Sequence, residues 1–463
     1  MNLPKITTIS QIENNTIVKR KLNSIRFSGL LRMSNFRKRI GGDYSLYLLI
    51  YRILVTLFMS KRLKVLWEKG NTLADCLKGA KKDSYYDMLK NERLNWRKMF
   101  FDFFLRIARP LQQLSDLKEH VLILDDTSNP KTGKKIEGIS WQYDHADHKH
   151  YKGFTQLHLG WSDGSTYLPI DFCIKVGKKI ISTWNKMIDN RTSGAKRRAE
   201  STETKLDQSL KMLRTAFQKG ISAGYVVYDT WFAKPAFLLS VFNIGYHSVC
   251  NIPKGAKFWQ VNHNGKVFLL EGLYRLLKNK KSFTVLTVNG IKQRVASIIV
   301  THKNGLELKL VFCKVSSQKN WIVFASTDIE QSDYETLKTY SKRWSIECFF
   351  KSCKQLLQFG KEQSIDFDVQ ISMTTLRLMA YSLISVIQRE QQDQRTFGDL
   401  FEFIENEFSN LNLDREIIDQ IFAIIMEIVV VSSDVLDQFK QVFTFVMNNF
   451  TSTGMVSGNC KAG

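Results

Sequence analysis

Two short apolar runs that end in acids constrain the fold of this chain most strongly. HVLILDD covers residues 120–126 and GYVVYD covers residues 224–229. Unbroken apolar runs of this length are typical of strands buried on both faces, as in a sheet covered by helices. Because helical periodicity dominates the flanking regions, we predict an α/β fold in which two strands end in carboxylates.

The chain divides into regions of different composition and periodicity. Residues 1–118 are helical in pattern and rich in Lys and Arg, which predicts either a helical DNA-binding region or a helical scaffold with solvated lysines. We expect an α/β core over 119–245 and 319–395. Asn-Gly turns between strand-like runs predict a β-rich insertion over 246–318. Residues 396–463 are expected to form a C-terminal helical region that could serve dimerisation.

Within the core, three further elements are predicted. Residues 154–176 contain two strand-like runs joined by Ser-Asp-Gly, which favours a β-hairpin. Residues 320–327 are expected to form a buried strand, and 331–357 a helix after it.

Charge points to a polyanionic partner. The 463 residues include 67 Lys and Arg against 44 Asp and Glu, a formal net charge of +23, with a pI near 9.6. Such an excess raises affinity for DNA, RNA or acidic membrane surfaces, and DNA is the first choice. A surplus of lysine without any ligand is the alternative. The basic cluster at 195–198 (AKRR) is interpreted in the same two ways, as phosphate contacts or as solvated charge.

Cysteine usage and hydropathy indicate a cytoplasmic protein. Seven cysteines occur without a Cys-x-x-Cys pair, which favours reduced thiols. The first residues lack the apolar segment of a signal peptide. The apolar runs at 47–58 and 421–431 are too short to cross a bilayer, so we expect buried helices there.

The stretch YSKRWSIECFFKSCK at 340–354 carries a polar row. A helix turns by about 100° per residue, which brings Tyr340, Arg343, Glu347 and Lys354 within roughly 60° of each other. A surface helix with two solvated salt bridges would show the same row. An apolar stripe lies beside it, formed by Ile346, Phe349, Phe350, Cys353, Leu356 and Leu357.

Three acids could form a metal site. Asp125 (or its neighbour Asp126) and Asp229 are predicted at strand ends, and Glu347 lies on the helix. Hard cations such as Mg²⁺ prefer carboxylate oxygens, and a rigid sheet fixes the positions of such ligands. A single Asp at a strand end is more often a turn former, so the hypothesis depends on the combination.

In their order along the chain, these motifs resemble the insertion-sequence-four family of bacterial DDE transposases. The matching segments are Asp125-Asp126-Thr127, the run VVYDTWF at 226–232, and Tyr340-x2-Arg343-x3-Glu347-x6-Lys354. The resemblance implies a ribonuclease-H-like core interrupted by a β-rich insertion, with two Mg²⁺ ions (or Mn²⁺) bound by Asp125, Asp229 and Glu347. An Asp-x-Thr pattern and the alternation from Ile123 favour Asp125 over Asp126.

The resemblance also implies a reaction and partners. Water would cut one strand at a transposon end, the 3′ hydroxyl would attack the opposite strand to form a hairpin, and the reopened end would join target DNA. The partners would be double-stranded DNA, as terminal inverted repeats and target, and a second copy of the chain in a synaptic dimer. No GxxxxGK[ST] loop is present, consistent with a reaction that needs no ATP.

Four residues are expected to contact the DNA end. Tyr340, Arg343 and Lys354 would hold its phosphates. Trp321 would stack on a flipped base, or it is a core tryptophan. The competing functions are a ribonuclease-H-like nuclease, a domesticated or inactive transposase that binds DNA, and a basic RNA-binding or structural protein.

Overall fold

The structure is a computed structural model of the chain. The apolar run at 421–431 lies outside the described residues, as does most of the predicted C-terminal region. The five cysteines in the described part are free. The described residues are 16–34, 36, 45–60, 80–144, 147–177, 184, 188–315 and 320–409.

Helices form the N-terminal part, as the periodicity predicts. The run at 47–58 lies in a helix that is buried along almost its whole length, which confirms that prediction. The described helices of this part are α1 Ile17–Ser24, α2 Phe27–Met33, α3 Leu46–Phe58, α4 Lys82–Leu89 and α5 Trp96–Gln112.

One mixed sheet contains every strand of the described residues. Its order is β2-β3-β1-β5-β6-β12-β11-β10-β7-β8, with β4 paired to β3 and β9 paired to β10. The strands are β1 Val121–Pro130, β2 Ser140–Asp144, β3 Lys149–Ser162, β4 Tyr167–Lys175, β5 Tyr225–Tyr228, β6 His247–Asn251, β7 Gln260–His263, β8 Lys266–Leu269, β9 Thr284–Val288, β10 Ile291–His302, β11 Glu307–Val315 and β12 Ile322–Ser326.

Helices cover the sheet and connect its strands. The longest packs against α3, α4, α5 and β4. By length and hydropathy it could cross a membrane, yet its apolar window is wholly buried, which is the setting of a core helix. These helices are α6 Ser193–Thr202, α7 Lys205–Gln218, α8 Pro235–Ile244, α9 Leu270–Asn279, α10 Asp333–Ser341, α11 Trp344–Gln355 and the longest, α12 Phe367–Glu390; a last helix covers 397–409.

The two acid-ended runs are neighbouring parallel strands. β1 pairs with β5 in parallel, and Leu124 lies opposite Tyr228. Asp125 and Asp229 therefore leave the same edge of the sheet side by side. β1 is longer than predicted, because its ladder with β3 continues to Pro130 opposite Gly153. The prediction that this strand ends at its acids was therefore wrong.

The predicted hairpins are present. β3 and β4 pair as the expected antiparallel hairpin. In the insertion, Asn264-Gly265 and Asn289-Gly290 have positive φ throughout and connect β7 to β8 and β9 to β10, the conformation that Asn-Gly turns favour. The insertion is continuous with the core sheet, because β11 pairs with β12.

The basic cluster at 195–198 does not supply free phosphate contacts from its two arginines, so that interpretation was wrong for them. Arg197 and Arg198 are buried in α6. Arg198 donates to Glu137 Oε2 at 2.7 Å and to Asp368 Oδ1 at 3.0 Å. Burial of a charged group is costly unless it is paired, so Arg198 is a structural cation.

The predicted helix 331–357 is two helices. α10 ends at Ser341 and α11 begins at Trp344. The amide of Arg343 donates to the carbonyl of Tyr340, an i→i+3 bond that tightens the chain like a 3₁₀ turn. The single-helix prediction failed here because hydrophobic periodicity continues through such a turn.

The apolar stripe of α11 faces the sheet, as expected. Ile346, Phe349 and Cys353 are fully buried, and the helix packs against β1 and β4. His158 of β3 is fully buried beneath it, with its ring 5.3 Å from that of Phe350. Since His158 lies opposite Asp125 in the β1–β3 ladder, this packing places α11 over the acid-bearing edge.

Candidate active site

Two acids from distant parts of the chain contact one arginine, and a third acid lies beside them. Arg343 Nη1 donates to Asp125 Oδ2 at 2.8 Å, and its Nη2 donates to Glu347 Oε1. Asp229 follows β5, next to Asp125 across the parallel ladder. The turn between α10 and α11 places Arg343 one helical turn before Glu347, so the guanidinium reaches the helix carboxylate and the strand carboxylate together.

The two aspartates are partly buried and repel each other. Burial and the nearby Asp229 charge raise the pKa of Asp125 to about 7, and the Arg343 guanidinium opposes this shift. Burial also raises the pKa of Asp229, while the amide of Trp231 opposes it by donating to Asp229 Oδ1 at 3.0 Å. Like charges in a low-dielectric setting favour protonation or a bound cation. Added positive charge is therefore favourable at this edge.

Asp126 has a different partner. Lys205, at the start of α7, forms an ion pair with Asp126 Oδ2. The Lys205 ammonium also lies 3.7 Å from the centre of the Trp231 ring, and Lys234 lies 5.2 Å from the same ring. The sequence indicated Trp231 only through its place in VVYDTWF, and it gave no signal for Lys205.

The donor set suits a divalent cation, but one side chain lies in the way. Among the described residues, no group of three or more His, Cys, Asp or Glu is arranged to hold a metal ion. The Arg343 guanidinium lies between the Asp125 and Glu347 carboxylates and donates to both. Carboxylate oxygens on a rigid sheet edge are otherwise the ligands that Mg²⁺ prefers. Asp125, Asp229 and Glu347 therefore have suitable donor chemistry for a cation, and Arg343 lies between two of them.

Tyr340 and Lys354 lie near the site but are not equivalent. Tyr340 is half-buried, with its ring 4.6 Å from that of Phe324, and burial raises its pKa to about 12. Lys354 is exposed. Desolvation lowers the pKa of Lys354, and the Asp144 carboxylate opposes that shift. Lys354 is the more accessible of the two to a large ligand.

Trp321 lies in an aromatic cluster of the insertion. Its ring stacks on Tyr274 of α9 at 4.6 Å with an interplanar angle of 9°. Phe312 is 5.5 Å away, and Trp321 is 9% exposed. Tyr274 covers one face of the indole, so a base could stack on that face only after Tyr274 moved.

Comparison with known proteins gives a match to one family model over part of the chain. Residues 72–265 match the model of a family described as DDE superfamily endonuclease. This supports a DDE-type transposase or endonuclease. No curated protein matches the chain. The matched segment covers less than half of the chain; it contains Asp125 and Asp229 and ends before Glu347.

A DDE-type nuclease is consistent with the mixed α/β architecture. Such enzymes generally use divalent metals, and the carboxylates at the sheet edge have the right donor chemistry. The roles of the individual residues remain predictions.

Proposed function

We propose that the protein is an insertion-sequence transposase that cuts and joins double-stranded DNA by a cut-and-paste reaction. The observation that carries this proposal is that Arg343 joins the carboxylates of Asp125 and Glu347, with Asp229 next to Asp125 across the parallel strand pair. The match of residues 72–265 to DDE endonucleases supports it. The spacing from Tyr340 to Lys354 favours the insertion-sequence-four family and, with it, a ribonuclease-H-like core.

Asp125, Asp229 and Glu347 would hold two Mg²⁺ ions, for which Mn²⁺ could substitute. When bound, these ions would lower the pKa of water and stabilise the charge of the leaving oxygen. Asp126 is the less suitable ligand because it pairs with Lys205, whereas Asp125 shares Arg343 with Glu347.

The remaining polar residues would orient the DNA end. The Arg343 guanidinium can fork onto a phosphate, and the exposed Lys354 can supply a point charge to the neighbouring phosphate. Tyr340 would contribute less to holding the DNA end, because its ring packs against Phe324. On the face of Trp321 that Tyr274 covers, a flipped base could stack only if Tyr274 moved away, so we propose a base-stacking role on that face as conditional on that movement.

The reaction would proceed as phosphoryl transfers at one site. Water would break a phosphodiester at the transposon end and leave a 3′ hydroxyl. That hydroxyl would attack the opposite strand and form a hairpin, a second water would open the hairpin, and the freed 3′ hydroxyl would attack target DNA. In each transfer, the oxygen of a water or of a 3′ hydroxyl attacks the phosphorus and a 3′ oxygen leaves. The reaction therefore requires no ATP.

The partners would be the terminal inverted repeats, target DNA and a second copy of the chain in a synaptic dimer, in the bacterial cytoplasm at the nucleoid. The net charge of +23 supports a polyanionic partner. We propose 1–118 as a helical DNA-binding region and 396–463 as a dimerisation region.

A labelled duplex carrying the inverted repeats that flank the reading frame tests the proposal. With Mg²⁺ or Mn²⁺, the wild type should nick the end and join it to target DNA. Glu347→Gln should abolish cleavage while end binding persists. Cleavage at the wild-type rate by the variant would refute the assignment. Cleavage without joining would indicate a nuclease, and binding without cleavage a DNA-binding protein.

A further inference from the structure

The Arg343 guanidinium lies between Asp125 and Glu347, two of the three acids proposed to hold metal. Its two terminal nitrogens donate to one oxygen of each carboxylate. Of the Arg343 side chain, 19% is exposed. The side chains of Asp125 and Glu347 are 14% and 33% exposed, so the contact joins three partly shielded groups.

Arginine and metal cannot share these oxygens in this arrangement. Mg²⁺ binds carboxylate oxygens at about 2.0–2.1 Å. Two carboxylates that ligate one ion must approach each other, whereas here a planar guanidinium holds them apart. Its positive charge would also repel the ion. Arg343 must leave before Asp125 and Glu347 can bind metal together.

The neighbouring cations are held elsewhere. Lys205 pairs with Asp126 and lies over Trp231. Lys342 pairs with Glu119 and donates to its carbonyl at 2.6 Å. Within the described ranges, Arg343 is the cation that contacts both Asp125 and Glu347. The competition with metal for these two carboxylates therefore involves this one side chain.

We propose that Arg343 is a positioning residue that makes metal binding depend on DNA binding. In the free protein it holds the Asp125 and Glu347 carboxylates. A DNA phosphate then draws the guanidinium away, because a phosphate accepts the same two-pronged pair of hydrogen bonds, and the carboxylates become free for metal. This inference rests on the proposed function, which supplies the DNA and the metal.

The coupling has a thermodynamic counterpart. If DNA binding raises metal affinity by releasing Arg343, metal must raise DNA affinity by the same factor. Without DNA the acids would stay bound to arginine at low metal concentrations. The protein would then keep its metal site incomplete until a phosphate backbone is in place.

Mn²⁺ titration of the full chain without DNA, followed by calorimetry and by thermal unfolding, tests the competition. Arg343→Gln should bind Mn²⁺ about tenfold more tightly than the wild type. Without metal, this variant should have a lower melting temperature than the wild type. Adding Mn²⁺ should raise its melting temperature by more than it raises that of the wild type. The matched control is Lys205→Gln, which removes a positive charge from the adjacent Asp126. A general charge effect would raise affinity equally in both variants.

Two results would overturn the inference. The first is an unchanged or weaker Mn²⁺ affinity of Arg343→Gln without DNA, and the second is an equal gain in Lys205→Gln. A duplex added in a second titration should tighten Mn²⁺ binding more in the wild type than in Arg343→Gln. If the wild type cleaves DNA with metal but Arg343→Gln gains no affinity, only this inference fails. If neither form binds Mn²⁺ with DNA present, the proposed function fails too.

Discussion

Asp125 and Asp126 are consecutive residues, yet their carboxylates pair with cations from different helices. Asp125 contacts Arg343, which immediately precedes α11, and Asp126 contacts Lys205 of α7. Adjacent side chains of a strand point to opposite faces, so β1 presents one acid to each side. The structure thereby separates two residues that the sequence distinguished by an Asp-x-Thr pattern and by the alternation from Ile123.

This separation predicts that replacing the two acids lowers the cleavage rate to different extents. Asp125→Asn should lower metal-dependent cleavage by at least about a hundredfold, more than loss of a group that merely supports a metal ligand. Asp126→Asn should lower it by less than about tenfold. Single-turnover cleavage of a labelled end duplex gives both values, and circular dichroism confirms folding. The reverse ranking would identify Asp126 as the ligand.

Arg198 is expected to be critical for stability. Arg198→Met removes the guanidinium shared by the buried Glu137 and Asp368, which should cost about 3–5 kcal/mol of unfolding free energy. Urea unfolding measures the loss.

The control for Arg198 is Arg191→Ala. Arg191 is 90% exposed and paired with Asp189, so its removal should leave the unfolding free energy almost unchanged. Equal small losses in both variants would contradict the structural role of Arg198.

Glu119 should contribute a pH-dependent part of the stability. Hydrogen bonds from Lys338 and Lys342 lower the pKa of Glu119 below its ordinary value of 4.5. The unfolded chain therefore takes up the proton first as the pH falls, and the stabilisation is lost in acid. At pH 7, Glu119→Gln should cost about 0.5–1 kcal/mol, because the pair is partly exposed.

Urea midpoints of wild type and Glu119→Gln should converge as the pH falls below about 4.5, the ordinary glutamate pKa. Glu330→Gln is the control, since Glu330 forms no ion pair within the described part of the chain. A gap between wild type and Glu119→Gln that stays constant with pH would contradict this origin.

Trp321 is expected to behave as a packing residue in the free protein. Trp321→Ala removes the stack with Tyr274 and should lower the unfolding free energy by about 3–5 kcal/mol. Trp344→Ala, at a 65% exposed tryptophan, should change it by less than about 0.5 kcal/mol. A Trp321→Ala protein of wild-type stability with impaired hairpin formation would favour the base-stacking role instead.

The sequence predicted the elements better than their environment. Unbroken apolar runs identified β1 and β5, and Asn-Gly turns identified the insertion hairpins, because both signals are local. The cation that Asp126 meets depends on where α7 begins relative to β1, which no local pattern encodes. The burial of Arg198 depends on Glu137 and Asp368, 61 and 170 residues away.

The insertion covers one edge of β12. β12 has β6 on one side and β11 on the other, and it leads into α10, which precedes Arg343 and Glu347. Deleting 260–315 would leave one edge of β12 unpaired. Its free backbone N–H and C=O groups could then pair with another molecule. The insertion is therefore inseparable from the acid-bearing sheet: it completes the cooperative unit on which the Glu347 helix depends, and a shortened protein should aggregate rather than refold.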